Sequence, residues 1–170
     1  RTMGNQNPDF TERMATAARV NAKLIISIHF NADNGANGNG PAAMFYHKSP
    51  NTKRDEDIAN ALATAVQRQT QRFEEPKFET RKAVYDDEWM TKPAKDGRPS
   101  IRPNGAFLFV QASRNPSLRN TPVIYLEVEF LEAEKYGART RRLFVERKPE
   151  VFEAWAQAIA KEVIAQANKL

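Results

Sequence analysis

The stretch Leu24–Asp33, LIISIHFNAD, decides how the rest of the chain is read. Leu24, Ile25, Ile26 and Ile28 crowd into a short apolar run, followed at once by the Asn- and Gly-rich NADNGANGNGP. So short a continuous apolar run, rich in β-branched residues, reads as a buried strand of an α/β sheet. The run ends at His29, one of only two histidines in the sequence. In α/β sheets, sites form where strands end and loops begin. His29 therefore stands where a site would form. A histidine at a strand end is equally often a hydrogen-bonded polar residue with no chemistry, and the strand alone leaves both readings open.

Outward from this strand, helical and extended patterns alternate. DFTERMATAARVNAK is Ala-rich without internal Gly or Pro, which predicts a helix from Asp9 to about Asn21, capped by Asp9 or Thr11. AAMFYHK reads as a second strand, and DEDIANALATAVQRQTQRF as a long amphipathic helix whose acidic start suits the helix dipole. GAFLFVQAS and TPVIYLEVEFL read as two further strands. The tail is an amphipathic helix with Pro149 in its first turn and Val151, Phe152, Trp155, Ile159 and Val163 on one stripe. The alternation predicts an α/β fold: a three-layer sandwich with a mostly parallel central sheet flanked by helices.

The 170 residues are expected to form a single domain, residues 1–170, with a charged insertion around 74–101. That insertion is proline-containing and without clean periodicity, and reads as a surface excursion packed through Phe78, Tyr85 and Trp89. With 41% hydrophobic and 28% charged residues the composition is that of a globular protein, and no apolar run approaches the ~20 residues that span a bilayer. The sequence has no cysteine, which removes thiol nucleophiles and thiolate metal sites and leaves His, Asp and Glu as metal ligands. The net charge of +5 suits either plain solubility or an anionic partner. The basic segment RTRRLFVERK carries no nucleic-acid motif, and nucleic acid is not expected as a partner. His47 leads into a polar turn and is read as a surface residue.

Within PVIYLEVEFL, residues two apart share a face of a strand. Glu127 and Glu129 thus look one way, and Ile124, Leu126, Val128 and Phe130 the other. Carboxylates in an apolar strand are costly to bury unless paired or bound to a metal. Either this is a solvent-facing edge strand or a salt-bridged one, or a glutamate serves as general base or metal ligand, its proton affinity raised by desolvation.

Taken in order, these segments resemble the zinc-dependent N-acetylmuramoyl-L-alanine amidases of the amidase type 3 family. FTERMATAARVNAKLIISIHFNAD is similar to that family's run of Leu-x-x-Arg, a helix with Ala-Asn, then Ser-Ile-His-x-Asn-Ala, matching at Arg13, Ala17, Ala22, Ser27, Ile28, His29, Asn31 and Ala32. GPAAMFYHKS, DIANALATAV and RPNGAFLFV resemble its following segments, and TPVIYLEVEF its Pro-x-x-Leu-x-Glu-x-Gly-Phe strand. The resemblance implies hydrolysis of the amide between N-acetylmuramic acid and the L-alanine of the stem peptide by zinc-activated water. It makes His29 a Zn2+ ligand and Glu127 the catalytic glutamate, with Asn31 and Asp33 as outer supports of the histidine.

Glu129 stands where the family has glycine, which makes it a rim residue, an extra ligand or an inhibitory group. The family's Gly-His-Gly-Gly segment and the glutamate after it, which supply the other ligands, are absent, so the chain is expected to be N-terminally incomplete. The implied partners are peptidoglycan and an activator or regulatory protein, with the membrane touched peripherally at most. The implied location is periplasmic or secreted, in the cell envelope. The charged insertion sits where some relatives carry a segment that covers the cleft. The alternative is a non-catalytic amidase-like module that binds peptidoglycan or regulates wall synthesis.

Overall fold

The computed structural model describes residues 10–31, 40–74, 82–86, 103–130 and 142–170. The elements run α1 (Phe10–Arg19), β1 (Ile25–Asn31), β2 (Ala42–Phe45), α2 (Thr52–Phe73), β3 (Ala83–Asp86), α3 (Pro103–Arg114), a 3-10 turn (Pro116–Leu118), β4 (Val123–Phe130), a π-helical turn (Arg142–Glu146) and α4 (Lys148–Ala167). The strands form one mixed sheet in the order β1-β4-β2-β3. β1 pairs with β4 and β2 with β3 in parallel, while β2 and β4 run antiparallel at the centre. The expected α/β sandwich is present, with its parallel pairings divided into two oppositely directed pairs.

α1 is stopped by Asn21, which takes a positive φ of 52°. The Asn21 N–H returns to the Ala18 carbonyl and the Ala22 N–H to that of Ala17, a left-handed cap that frees the chain to enter β1. The start of β1 is then tied to the start of β4: the Ile25 N–H donates to the Pro122 carbonyl and the Thr121 hydroxyl to that of Ala22.

Two cores cover the two faces of the sheet. On one, Ala43, Phe45, Ile124, Leu126 and Val128 pack against Ile58, Leu62 and Val66 of α2 and Val151, Trp155 and Ile159 of α4. On the other, Met44 and Val123 pack against Met14 of α1, Leu108, Phe109 and Ala112 of α3, and Leu118. Each fully buried Leu- or Phe-sized side chain contributes roughly 1.5–3 kcal/mol, so both layers are needed to hold the sheet. The tail stripe packs as its spacing predicts, and the buried Trp155 indole donates to Thr70 Oγ1 at 2.9 Å.

Three readings change. GAFLFVQAS is the body of helix α3 rather than a strand. Its buried Leu108, Phe109 and Ala112 fall on one helical face, and Pro103 occupies the first helical position, where its missing N–H costs nothing. The charged excursion contains β3, whose Ala83–Asp86 pairs with β2, so this part of it is an edge strand of the sheet. Tyr85 is half-buried there and packs against the second core, while Phe78 and Trp89 lie outside the described residues.

Arg147 and Lys148, at the end of the basic run, lie over aromatic rings. Leu143 is fully buried, the Arg147 guanidinium lies 5.6 Å from the Phe73 ring and the Lys148 ammonium 5.5 Å from that of Phe152. His47 is half-buried rather than exposed, meeting Tyr46 edge-on at 5.6 Å. Among the described residues, no helix is long and apolar enough to cross a membrane.

Candidate active site on the β1–β4 pair

Alternation along β1 and β4 sorts the polar residues onto the face that carries the second core. Ile25 and Tyr125 pack against that core beside Val123, and the same face continues through Ser27 and His29 on β1 and through Glu127 on β4. The parallel register sets Ser27 beside Tyr125 and His29 directly beside Glu127. Neighbouring strands lie about 4.8 Å apart, so the two side chains share one patch of the sheet. On its other flank Glu127 pairs with Ala42, whose methyl leaves room over the carboxylate.

Glu127 is 4% exposed and Glu129 is 0% exposed, on a strand bordered by β1 on one side and β2 on the other. The edge-strand explanation for these glutamates is therefore excluded. Both are buried carboxylates on an interior strand, which the protein must compensate with specific partners. For Glu129 one such partner is the backbone of Gly40, whose N–H donates to Oε1 at 2.7 Å.

His29 is held on two sides. Its ring stacks on that of Tyr125, with centroids 4.4 Å apart and planes 15° from parallel. Ser27 Oγ lies 2.7 Å from Nε2, the hydroxyl donating whenever that nitrogen is bare. The outer edge of the ring is open to solvent, but the shielded face is enough for desolvation to lower its pKa, and the positive charge of Arg13 lowers it further. The neutral, lone-pair-bearing imidazole is thus the favoured form, which is the form that binds a metal or accepts a proton.

The donor set tests the fit of a zinc ion. Catalytic zinc takes three protein ligands and keeps a fourth position for water. Among the described residues, no three His, Asp or Glu side chains are grouped to hold a metal. The described residues by themselves do not make a zinc site. Asn31 closes β1 opposite Phe130, after a register shift that leaves Val128 and Glu129 facing Phe30 alone. Asp33 lies outside the described residues.

The structure sets His29 beside Glu127 in the register of β1 and β4, with Ser27 and Tyr125 next to them and Glu129 bonded to Gly40. Ser27 and Tyr125 had a signal available: the two-residue period along each strand places them on the face of His29 and Glu127. A cavity of about 300 Å³, lined by Tyr46, Lys48, Asp55, Phe109, Leu118 and Val123 among others, belongs to the opposite end of β4 and shares no lining residue with this patch.

Several solved amidases share this fold. The catalytic domain of CwlV, an N-acetylmuramoyl-L-alanine amidase from Bacillus (Paenibacillus) polymyxa var. colistinus, superposes with a TM-score of 0.55 at 15% identity, over 95% of this chain and 66% of that one. An N-acetylmuramoyl-L-alanine amidase from Clostridium difficile 630 gives 0.56 at 16% identity, again over 95% and 66%. An N-acetylmuramyl-L-alanine amidase from Mycobacterium smegmatis gives 0.53 at 17%, over 98% and 65%. The chain thus spans slightly less than two thirds of the length of these structures. No curated protein matches the sequence. At the level of sequence, residues 1–164 match the Amidase_3 family, N-acetylmuramoyl-L-alanine amidase, and the chain belongs to that family.

Proposed function

We propose that this chain is catalytic-domain material of a peptidoglycan hydrolase that cleaves the amide between N-acetylmuramic acid and the L-alanine of the stem peptide. The observation that carries the reading is the pairing of His29 with the buried Glu127 on adjacent strands, within a chain of the amidase family. Glu127 is the general base: its carboxylate takes the proton of the attacking water and delivers it to the amine that leaves with L-alanine. Burial suits this role, because desolvation brings a carboxylate's proton affinity toward that of a neutral-pH base. Such a base typically contributes about 10²–10⁴ in rate.

His29 would supply one ligand of a zinc ion, its ring fixed by Tyr125 and Ser27. Asn31 and Asp33, just beyond it in the chain, are the proposed outer supports of His29. The substrate places the protein in the cell envelope, periplasmic or secreted, with an activator or regulatory protein as a further partner. The net charge of +5 suits a polymer rich in carboxylates.

The test is metal content and muropeptide release measured together on the intact protein. Near-stoichiometric zinc and release of free stem peptides support the amidase. Peptidoglycan binding without zinc or release supports the non-catalytic module instead.

A further inference from the structure

Glu129 invites an assignment as an extra ligand or second base, since it lies two residues from Glu127 on the same strand. Its surroundings point elsewhere. It is fully buried, and its Oε1 accepts the Gly40 N–H at 2.7 Å, the short distance of a charge-assisted bond. The antiparallel register, Ala42 opposite Glu127 and Ala43 opposite Leu126, extended by two residues sets Gly40 opposite Glu129. The side chain therefore satisfies a backbone N–H just past the last ladder pair.

Gly40 has a φ of 79°, a conformation that glycine adopts without strain, and its missing Cβ lets the backbone come close. On the other flank, the Pro41 carbonyl accepts the Ala83 N–H of β3 at 3.0 Å. The entry into β2 is thereby clamped from both neighbouring strands. Asn31, the last residue of β1, pairs with Phe130, so β4 holds both the end of β1, at Phe130, and the entry into β2, at Glu129.

We propose that Glu129 is a positioning residue: its buried carboxylate pins Gly40, and through it the return of the chain beside Glu127, rather than binding metal or moving a proton. This rests on the reading of His29 and Glu127 as the active pair.

The test compares wild type, Glu129→Gln and Glu129→Ala in the intact protein, reading the amide exchange of Gly40, bound zinc and muropeptide release. Glutamine keeps an acceptor for Gly40 and alanine does not. The expected result is a Gly40 amide slowed in wild type and Glu129→Gln, and faster by about tenfold or more in Glu129→Ala. Zinc content stays equal in all three, and kcat falls in Glu129→Ala and is rescued in Glu129→Gln. Should Glu129→Ala not fold, wild type and Glu129→Gln decide: a Gly40 amide exchanging at open-loop rates in either overturns the proposal. Loss of zinc in Glu129→Gln overturns it as well. Absence of turnover in wild type sinks the amidase reading alone, because the Gly40 exchange is read independently of activity.

Discussion

The imidazole of His29 lies almost flat on the phenol ring of Tyr125, 4.4 Å from centroid to centroid. The contact joins β1 to β4 across the sheet and shields one face of the histidine. A stacked pair of this kind is worth about 0.5–1.5 kcal/mol beyond its buried area. Tyr125→Leu is therefore expected to lower kcat/KM by roughly 3–10-fold and to return the His29 titration toward the ordinary imidazole range. Tyr125→Phe keeps the ring and is expected to behave like wild type. An NMR titration of His29 unchanged in Tyr125→Leu would contradict this account.

Glu127 and His29 separate two losses. Glu127→Gln preserves shape and burial but removes the base, so turnover is expected to drop by about 10²–10⁴ with bound zinc unchanged. His29→Ala is expected to lose zinc and turnover together. Rate assays beside metal analysis check both, and a Glu127→Gln variant that keeps most of its rate removes Glu127 from the role of base.

Stability should respond to His29 as well. Partial burial first, and the Arg13 charge second, hold its pKa below the ordinary value. The unfolded chain then binds more protons than the folded one between the folded pKa and about 6.5, so stability rises with pH across that window. The contribution is fully present above about pH 6.5 and is lost as pH falls through the folded value. Urea midpoints of the chelator-treated chain taken at descending pH measure the slope, and His29→Asn is expected to flatten it.

The Trp155–Thr70 bond offers a test in the core. The indole N–H donates to Thr70 Oγ1, which itself donates to the Val66 carbonyl at 3.1 Å. Trp155→Phe keeps an aromatic body in the cluster but removes the donor, for an expected loss of about 1–2 kcal/mol. Trp155→Ala also opens a cavity beside Phe30, Phe144 and Phe152, for roughly 3–5 kcal/mol. Thermal or denaturant unfolding separates the two variants.

A fourth residue pair tests the start of α2. Asp55 is 1% exposed, and its Oδ1 accepts from Arg54 Nε at 3.0 Å and Nη2 at 2.9 Å. Removing the guanidinium strands a buried carboxylate, so Arg54→Met is expected to cost about 1–3 kcal/mol in denaturant unfolding. Asp55→Asn with Arg54→Met together should cost less than the sum of the two singles.

Much of this architecture could be read directly from residue patterns. β1 announces itself by its isoleucines, and α2 and α4 by their helical stripes. α3 was hidden because GAFLFVQAS is apolar almost throughout, and continuous apolarity carries no period to separate a helix from a strand. β3 was hidden because an edge strand of four half-buried residues has little need of apolar alternation. At the site, the family resemblance singled out His29 and Glu127, but their adjacency was not legible. It depends on the parallel docking of β1 on β4, a pairing between segments far apart in the chain. The Glu129–Gly40 bond is a detail of register that no local pattern encodes.

The reversal of direction between β2 and β4 has a consequence for how the protein can vary. It puts the start of β2 at the Glu127 end of β4 and its finish, with Tyr46 and Lys48, at the other end, where the cavity of about 300 Å³ opens. Val123 and Glu127 are four residues apart on β4, about 13 Å along the strand. Over that distance substitutions at the two ends should combine additively. Drift around the cavity can then proceed while the His29–Glu127 end stays constant, so one strand carries two neighbourhoods free to diverge at different rates.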